Sequence, residues 1–219
     1  MKSNEDLQRD VQDAIKWEPQ LHAAEIGVTV IDGIVTLTGT VNNYSKKAEA
    51  EEAAKNVSGV KAVVEKIEVS VDDYGLRTDN DIATEVLNAF KWHWDIPNDK
   101  IKVKVEKGWV SLEGEIEWNY QKEAAKKAVS SLLGVKGVIN NIMIVSTVND
   151  TVERKDIEDA LFRNISINDE DIHVKVSGST VSLKGSVASW HQKGEAGRMA
   201  WSAPGVLHVE NELIVDYAE

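Results

Sequence analysis

The sequence predicts an α+β fold built from three tandem α-β-β-α-β modules, each a two-layer sandwich. Three observations predict it. One short strand is written three times: "GIVTLTGTV" at residues 33–41, "GWVSLEGEI" at 108–116 and "STVSLKGSV" at 179–187. The glycines inside those strands, Gly39, Gly114 and Gly185, are each followed twenty residues later by a Gly-Val pair, at Gly59, Gly134 and Gly205. Upstream, "DLQRDVQDAIKW" at 6–17 matches "DIATEVLNAFKW" at 81–92. A fixed internal period is the mark of a repeat architecture. The third copy opens with "DIEDALFRNI" at Asp156 and is four residues shorter ahead of its strand glycine. The modules are expected at 1–73, 78–147 and 152–217, joined by acidic linkers near "DDYGLRTDND" and "STVNDTVERKD".

Each element has its own justification. The first segment is a helix by its spacing, with Leu7, Val11, Ala14 and Ile15 on one stripe and Ile82, Val86, Ala89 and Phe90 on its counterpart. Two alternating strands follow. Ile101, Val103 and Val105 point one way while Lys100, Lys102 and Lys104 point the other. The second strand buries Val110, Leu112 and Ile116. The "DG", "KG" and "GS" pairs between the strands are hairpin-turn chemistry. An alanine-rich helix comes next, with Ala50, Ala53, Ala54 and Val57 on one stripe. Gly59, Gly134 and Gly205 are expected to cap it in the left-handed conformation. A last strand closes the unit, with Val63, Val138 and Val209 at matched positions, followed by Ile67, Ile142 and Leu213. Both helices then cover one face of a three-stranded sheet. Gly39, Gly114 and Gly185 fall on the inward parity of the second strand, where a side chain is expected to collide with the helix above.

These residues resemble the BON domain (bacterial OsmY and nodulation). The resemblance rests on the α-β-β-α-β order, the "V-x-L-x-G-x-V" strand and the "GV" twenty residues on. The last copy, "SWHQKGEAGRMAWSAPGVLHVENELIV", is especially similar to the last repeat of triple-BON proteins. The resemblance covers nearly the whole chain. It implies a non-enzymatic module associated with phospholipid surfaces and with envelope or osmotic stress. The better-known members carry export signals. Here the opening "MKSNEDLQRDVQDAIKW" is polar and acidic, so a cytoplasmic protein is expected.

Composition narrows the function classes. The chain has 219 residues and 42% hydrophobic residues, enough for packed cores. It has no cysteine, so disulfides and thiolate metal sites are excluded. Its net charge of -12 argues against nucleic-acid binding, which needs a basic surface. There is no G-x-S-x-G, no H-E-x-x-H and no phosphate-binding glycine loop, so neither an enzyme nor a cofactor is indicated. His22, His93, His173, His191 and His208 share no repeat position, which favours solvated or packing roles over a metal site. "GEAG" at 194–197 mimics the GXXG loop of KH domains. Its counterparts, residues 48–51 and 123–126, look helical, so a helix tolerating two glycines is the better reading.

The three copies differ in charge. Lys plus Arg against Asp plus Glu is 8 to 14 over residues 1–75, 10 to 10 over 76–149, and 7 to 13 over 150–219. The middle module is neutral and concentrates its lysines: Lys100, Lys102 and Lys104 on one strand, Lys107 at the turn, Lys122 and Lys126 one helical turn apart. Trp92, Trp94, Trp109, Trp118 and Tyr120 interleave with them. Lysine with tryptophan suits contact with an anionic phospholipid interface, and Lys100, Lys102, Lys104, Lys107, Trp109, Trp118, Lys122 and Lys126 are the candidate contact residues. A solvated face, with Glu113 and Glu115 pairing the lysines, is the other reading. The shared position of Trp17 and Trp92 favours a structural role for that pair, and Trp118, Trp190 and Trp201 suit packing between modules. A peripheral phospholipid-binding protein and a soluble scaffold with protein partners are thus the two functions to separate.

Overall fold

The structure, a computed structural model, describes residues 2–21, 25–70, 77–145, 155, 157–159, 172–203 and 205–216. Residues 71–76 and 146–154, which hold most of the expected linkers, lie outside the described residues, as do His22 and most of the segment expected to form the first helix of the third module. The first module runs α1 (Asn4–Trp17), β1 (Ile26–Ile31), β2 (Ile34–Val41), α2 (Tyr44–Lys55) and β3 (Ala62–Val69). The second repeats it as α3 (Asp79–Trp92), β4 (Ile101–Glu106), β5 (Trp109–Ile116), α4 (Asn119–Ser130) and β6 (Gly137–Ile144). The third has β7 (Ile172–Ser177), β8 (Thr180–Val187), α5 (Trp190–Trp201), β9 (His208–Asn211) and β10 (Ile214–Val215). Ahead of β7, residues 157–159 are helical, and Ile157 is fully buried in the third core.

In every module the second strand is central. It pairs antiparallel with the first and parallel with the last. The last strand of the third module is split, and both parts, β9 and β10, pair with β8. The first two hairpins turn through Asp32-Gly33 and Lys107-Gly108, all four residues with positive φ, as a type I′ turn requires. Helix starts are capped from the side chain. Ser3 accepts from the Asp6 N–H, Thr78 and Asp81 form a reciprocal box, and Ser189 accepts from the Gln192 N–H.

Each module has its own core. Leu7, Val11 and Ile15 of α1, Val35, Leu37 and Val41 of β2, and Ala50, Ala53 and Ala54 of α2 form the first. Ile82, Val86 and Phe90 of α3 lead the second. The alanines keep the second helix close to the sheet, and the opposite sheet face is left open. Helices α2 and α4 touch, and Tyr44 of the first module packs against the second core.

Two glycine expectations need correction. Gly39 and Gly114 do lie on the inward parity, but the obstacle is not the helix. A Cβ at Gly114 would run into the Lys100 carbonyl oxygen, and one at Gly39 into that of Glu25. The backbone of the neighbouring strand crowds the site, and φ is +134° at Gly39, +148° at Gly114 and +122° at Gly185. Gly59 and Gly134 have positive φ, yet they are not the helix caps. The C-caps are Asn56 and Ser131, right-handed, and each glycine follows three residues later in the turn to the last strand. "GEAG" lies inside α5, so it is helix.

Candidate functional site

The open face of the middle sheet carries the lysine strand. Lys102 and Lys104 project from β4 on the side away from the helices, and Lys100 precedes them on the same parity. Each has acidic neighbours. Lys100 Nζ is 3.1 Å from Glu117 Oε1, and Lys104 Nζ is 3.0 Å from Glu106 Oε2. The hydrogen bond that Lys104 donates to Glu106, then the charge of Glu106 and that of Glu113, hold the Lys104 ammonium above its ordinary pKa. Lys102 lies across from Glu113 in the β4–β5 register. Lys107 sits in the hairpin turn, where its N–H donates to Asp79 Oδ2 at 2.8 Å.

Trp109 opens β5 and lies across from Gly137 of β6. Any side chain at Gly137 would strike the indole, so this glycine lets Trp109 rest on the sheet, half exposed. Beyond it β6 presents Ile139, Asn141 and Met143 to solvent in alternation, and the exposed Val145 follows the strand. The face therefore grades from a cationic strand, through the mixed strand β5, to an apolar one. Lys100, Lys102, Glu113, Glu115, Asn141 and Met143 line a shallow recess on it. The other described sheets differ. The outward positions of β1 are Gly27, Thr29 and Ile31, and those of β7 are His173, Lys175 and Ser177.

Trp118, Lys122 and Lys126 do not join this face. They belong to α4, in the helical layer. Trp118 is its N-cap but offers no acceptor, so Gln121 Oε1 accepts from the Glu117 and Trp118 N–H groups at 3.3 and 3.2 Å. The candidate residues are thus divided between the two layers of the module.

The structure overturns the structural role expected for Trp17 and Trp92. They are 84% and 85% exposed, and Trp94 is 93% exposed. A signal for this was present. Trp17 and Trp92 stand two residues after the core residues Ile15 and Phe90, and two steps along a helix turn about 200°, onto the opposite side. The location of Trp92 in the module follows from Asp79. Its carboxylate accepts from the Lys107 and Gly108 N–H groups at 2.8 and 2.9 Å, which pins the start of α3 to the hairpin turn. The other end of α3 therefore lies where β4 starts, β5 ends and α4 begins. Trp92, Trp94, Lys100, Trp118 and Tyr120 share that end. Trp118 and Tyr120 are both about half exposed.

Among the described residues, no group of three or more His, Asp or Glu is placed to hold a metal ion. No described helix is long and apolar enough to cross a membrane.

Comparison with known proteins fits the repeated topology. The BON domain model matches three times, at residues 3–71, 78–146 and 149–217. The chain belongs to the BON domain family. The chain is similar to osmotically-inducible protein Y of Escherichia coli strain K12, with 28% identity over 138 residues. That alignment covers 60% of this chain and 68% of that protein. Among solved structures, the C-terminal domain of CdsD, a structural protein of the type III secretion system of Chlamydia trachomatis, aligns over 98% of this chain and 100% of that one, at 16% identity and a TM-score of 0.26. A second CdsD structure aligns at 15% identity and a TM-score of 0.24.

Proposed function

We propose that this BON array is a non-enzymatic protein that binds anionic phospholipid surfaces peripherally, through its middle module, in a stress-related role. The observation that carries the reading is the open face of the middle sheet, where Lys100, Lys102 and Lys104 stand in a row along one edge and Ile139 and Met143 of β6 are exposed along the other, with β5 between them. The glutamates nearby do not oppose it strongly. Exposed ion pairs contribute only about 0–1 kcal/mol, so Lys100 and Lys104 can exchange a carboxylate for a lipid phosphate at small cost. Each lysine near an anionic surface contributes about 1 kcal/mol, enough in sum for weak, reversible association of a chain whose net charge is -12. The stress role is supported by the name of the relative from Escherichia coli, an osmotically-inducible protein.

Co-sedimentation with vesicles tests the reading. The protein should pellet with phosphatidylcholine–phosphatidylglycerol vesicles, less so with phosphatidylcholine alone, and less as salt rises. Replacing Lys100, Lys102 and Lys104 together by glutamate should lower the affinity about a hundredfold or more, at roughly 1 kcal/mol per charge. A protein that stays in the supernatant with every vesicle overturns the reading and leaves a scaffold with protein partners in its place.

A further inference from the structure

We infer that the three modules form a ring, each docking the ends of its strands on the start of another, so that the strand end of the second module receives the third module of the same chain. This goes beyond the phospholipid reading and does not depend on it. Each module has a head, where its first helix starts, its hairpin turns and its last strand begins. Its tail is where the central and last strands end. The head of the second module meets the tail of the first: Asp79, Lys107, Gly134 and Lys136 share a cavity of about 500 Å³ with Val69 and Ser70. Those two modules follow each other in the chain. The head of the first module meets a tail that does not. Asn4, Asp32, Gly59 and Lys61 share a cavity of about 690 Å³ with Ala188 and Asp216 of the third module. Both cavities are walled by the same positions. The four head residues of the second module each stand 75 residues after those of the first, as Gly114 does after Gly39. Asp216 stands 146 residues after Ser70, as Gly185 does after Gly39. The backbone confirms the match. Ser70, Val145 and Asp216 each donate an N–H to the last residue of the central strand, Val41, Ile116 and Val187, at 2.8–2.9 Å. Lys61, Lys136 and Leu207 each donate to the hairpin turn, at Gly33, Gly108 and Ser179, at 2.8–2.9 Å.

One head-to-tail contact is thus made twice, from the third module to the first and from the first to the second. Such a contact gives a ring if its rotation closes and an open filament if it does not. Chain length decides between them. The eight-residue central strands are each about 26 Å long, so a straight row of three modules would run roughly 80 Å from the third module's head to the second module's tail. The chain covers that gap between Val145 and Ile157, the buried residue whose place matches Leu7 and Ile82. Those twelve residues reach at most about 43 Å. The row must bend back on itself, and a third contact of the same kind completes it. The chemistry of that last pair fits. Asp216 meets a head that carries Lys2 and Lys61, and Ser70 a head that carries Arg77 and Lys136. The remaining tail offers Val145 and the remaining head Leu207, apolar for apolar. Ser70 and Asp216 stay exposed at their contacts, so the exposure of Val145 is in keeping with the same loose contact. The aromatic residues follow the pattern too. Tyr44, which packs from the first module on the second core, has Trp190 at its place in the third. In the second module that place is Asn119, flanked by the half-exposed Trp118 and Tyr120.

The test uses the full chain, which has no cysteine of its own. Cysteine pairs are introduced as Lys61→Cys/Asp216→Cys, Ser70→Cys/Lys136→Cys and Val145→Cys/Leu207→Cys. Lys61→Cys/Val145→Cys is the control, a head and a tail that the ring does not join. These side chains are exposed, apart from the half-buried Leu207, so circular dichroism should match the parent. Each protein is treated with bismaleimidoethane at low concentration, and the product is identified by its linked peptides and by the mass of one chain or two. All three ring pairs should link within one chain, about tenfold or more faster than the control, because docking raises the effective concentration of one thiol at the other. A Val145/Leu207 pair that links no faster than the control overturns the ring and leaves an open row. The same pair linked between two chains overturns it in favour of a second copy. A Lys61/Asp216 pair that links no faster than the control removes the contact on which the inference rests. Solution scattering of the parent gives a second reading that no substitution can disturb. Three modules of about 11 Å radius of gyration give about 19 Å as a ring and about 24 Å as a straight row, and a value at or above the latter overturns the ring.

Discussion

Gly114 and Gly194 predict opposite outcomes for the same substitution. At Gly114 φ is +148° and the Lys100 carbonyl oxygen occupies the space a methyl group needs. Gly114→Ala should destabilise the middle module by about 1–3 kcal/mol, as strained backbone does. Gly194 lies inside α5, and a methyl group added there would meet nothing within 4 Å, so Gly194→Ala should stabilise the third module by about 0.5–1 kcal/mol. Urea melts followed by amide exchange in each module check both signs. The strand parity of Gly114 was legible in the sequence because alternation depends only on neighbours along the chain. The reason it must be glycine was not, because the Lys100 carbonyl comes from a neighbouring strand whose register the sequence does not reveal. Trp92 shows the converse. Its exposure was legible from its two-residue offset from Phe90, but repetition in two copies pointed toward packing. Repetition shows that a position is the same in both modules, and says nothing about which way it faces.

At the scale of elements, the start of α3 is held twice. Thr78 and Asp81 exchange side-chain and backbone hydrogen bonds, and Asp79 reaches across to the β4–β5 turn. The hydrogen bonds from the Thr78 hydroxyl and N–H hold the Asp81 carboxyl below its ordinary pKa, with a small contribution from Arg77. A depressed folded pKa favours the folded state above the unfolded value of about 3.9, and that contribution is lost as pH falls through the folded value. An NMR titration of the Asp81 carboxyl carbon should show a midpoint below the usual aspartate range, and Thr78→Ala should move it upward. Asp79→Ala removes two charge-assisted bonds to the turn and should cost about 1–2 kcal/mol. Amide exchange at Lys107 and Gly108 should accelerate more than elsewhere in β4 and β5. In the first module Asn4 plays the same part, its Oδ1 accepting from the Asp32 N–H at 3.0 Å. Helix, hairpin and capping signals were all legible, since they are local patterns. The tie from Asp79 to a turn 28 residues away was not, because it exists only once α3 lies against the sheet. For the same reason the sequence grouped Lys100 with Lys126, although one belongs to the sheet and the other to the helical layer.

At the scale of the whole molecule, three cores imply three cooperative units, unless something couples them. One coupling contact is visible between the first two modules. Tyr44 begins α2 in the first module but packs against the core led by Phe90 in the second, and α2 touches α4 there. Its ring is only partly buried, so the cost of truncation falls below the roughly 3–5 kcal/mol of a fully buried aromatic. Tyr44→Ala should therefore lower the stability of the second module by about 1–2 kcal/mol although the residue belongs to the first. The lost atoms pack on the second core, so protection from amide exchange should fall in β5, α4 and β6. It should fall less in β1 and β2, whose core residues Val28, Val35 and Leu37 make up a separate cluster. The third module, whose core contains no residue of the first two, should melt as before. If the middle module keeps its full protection in Tyr44→Ala, this contact does not couple the first two modules, and they fold as independent units.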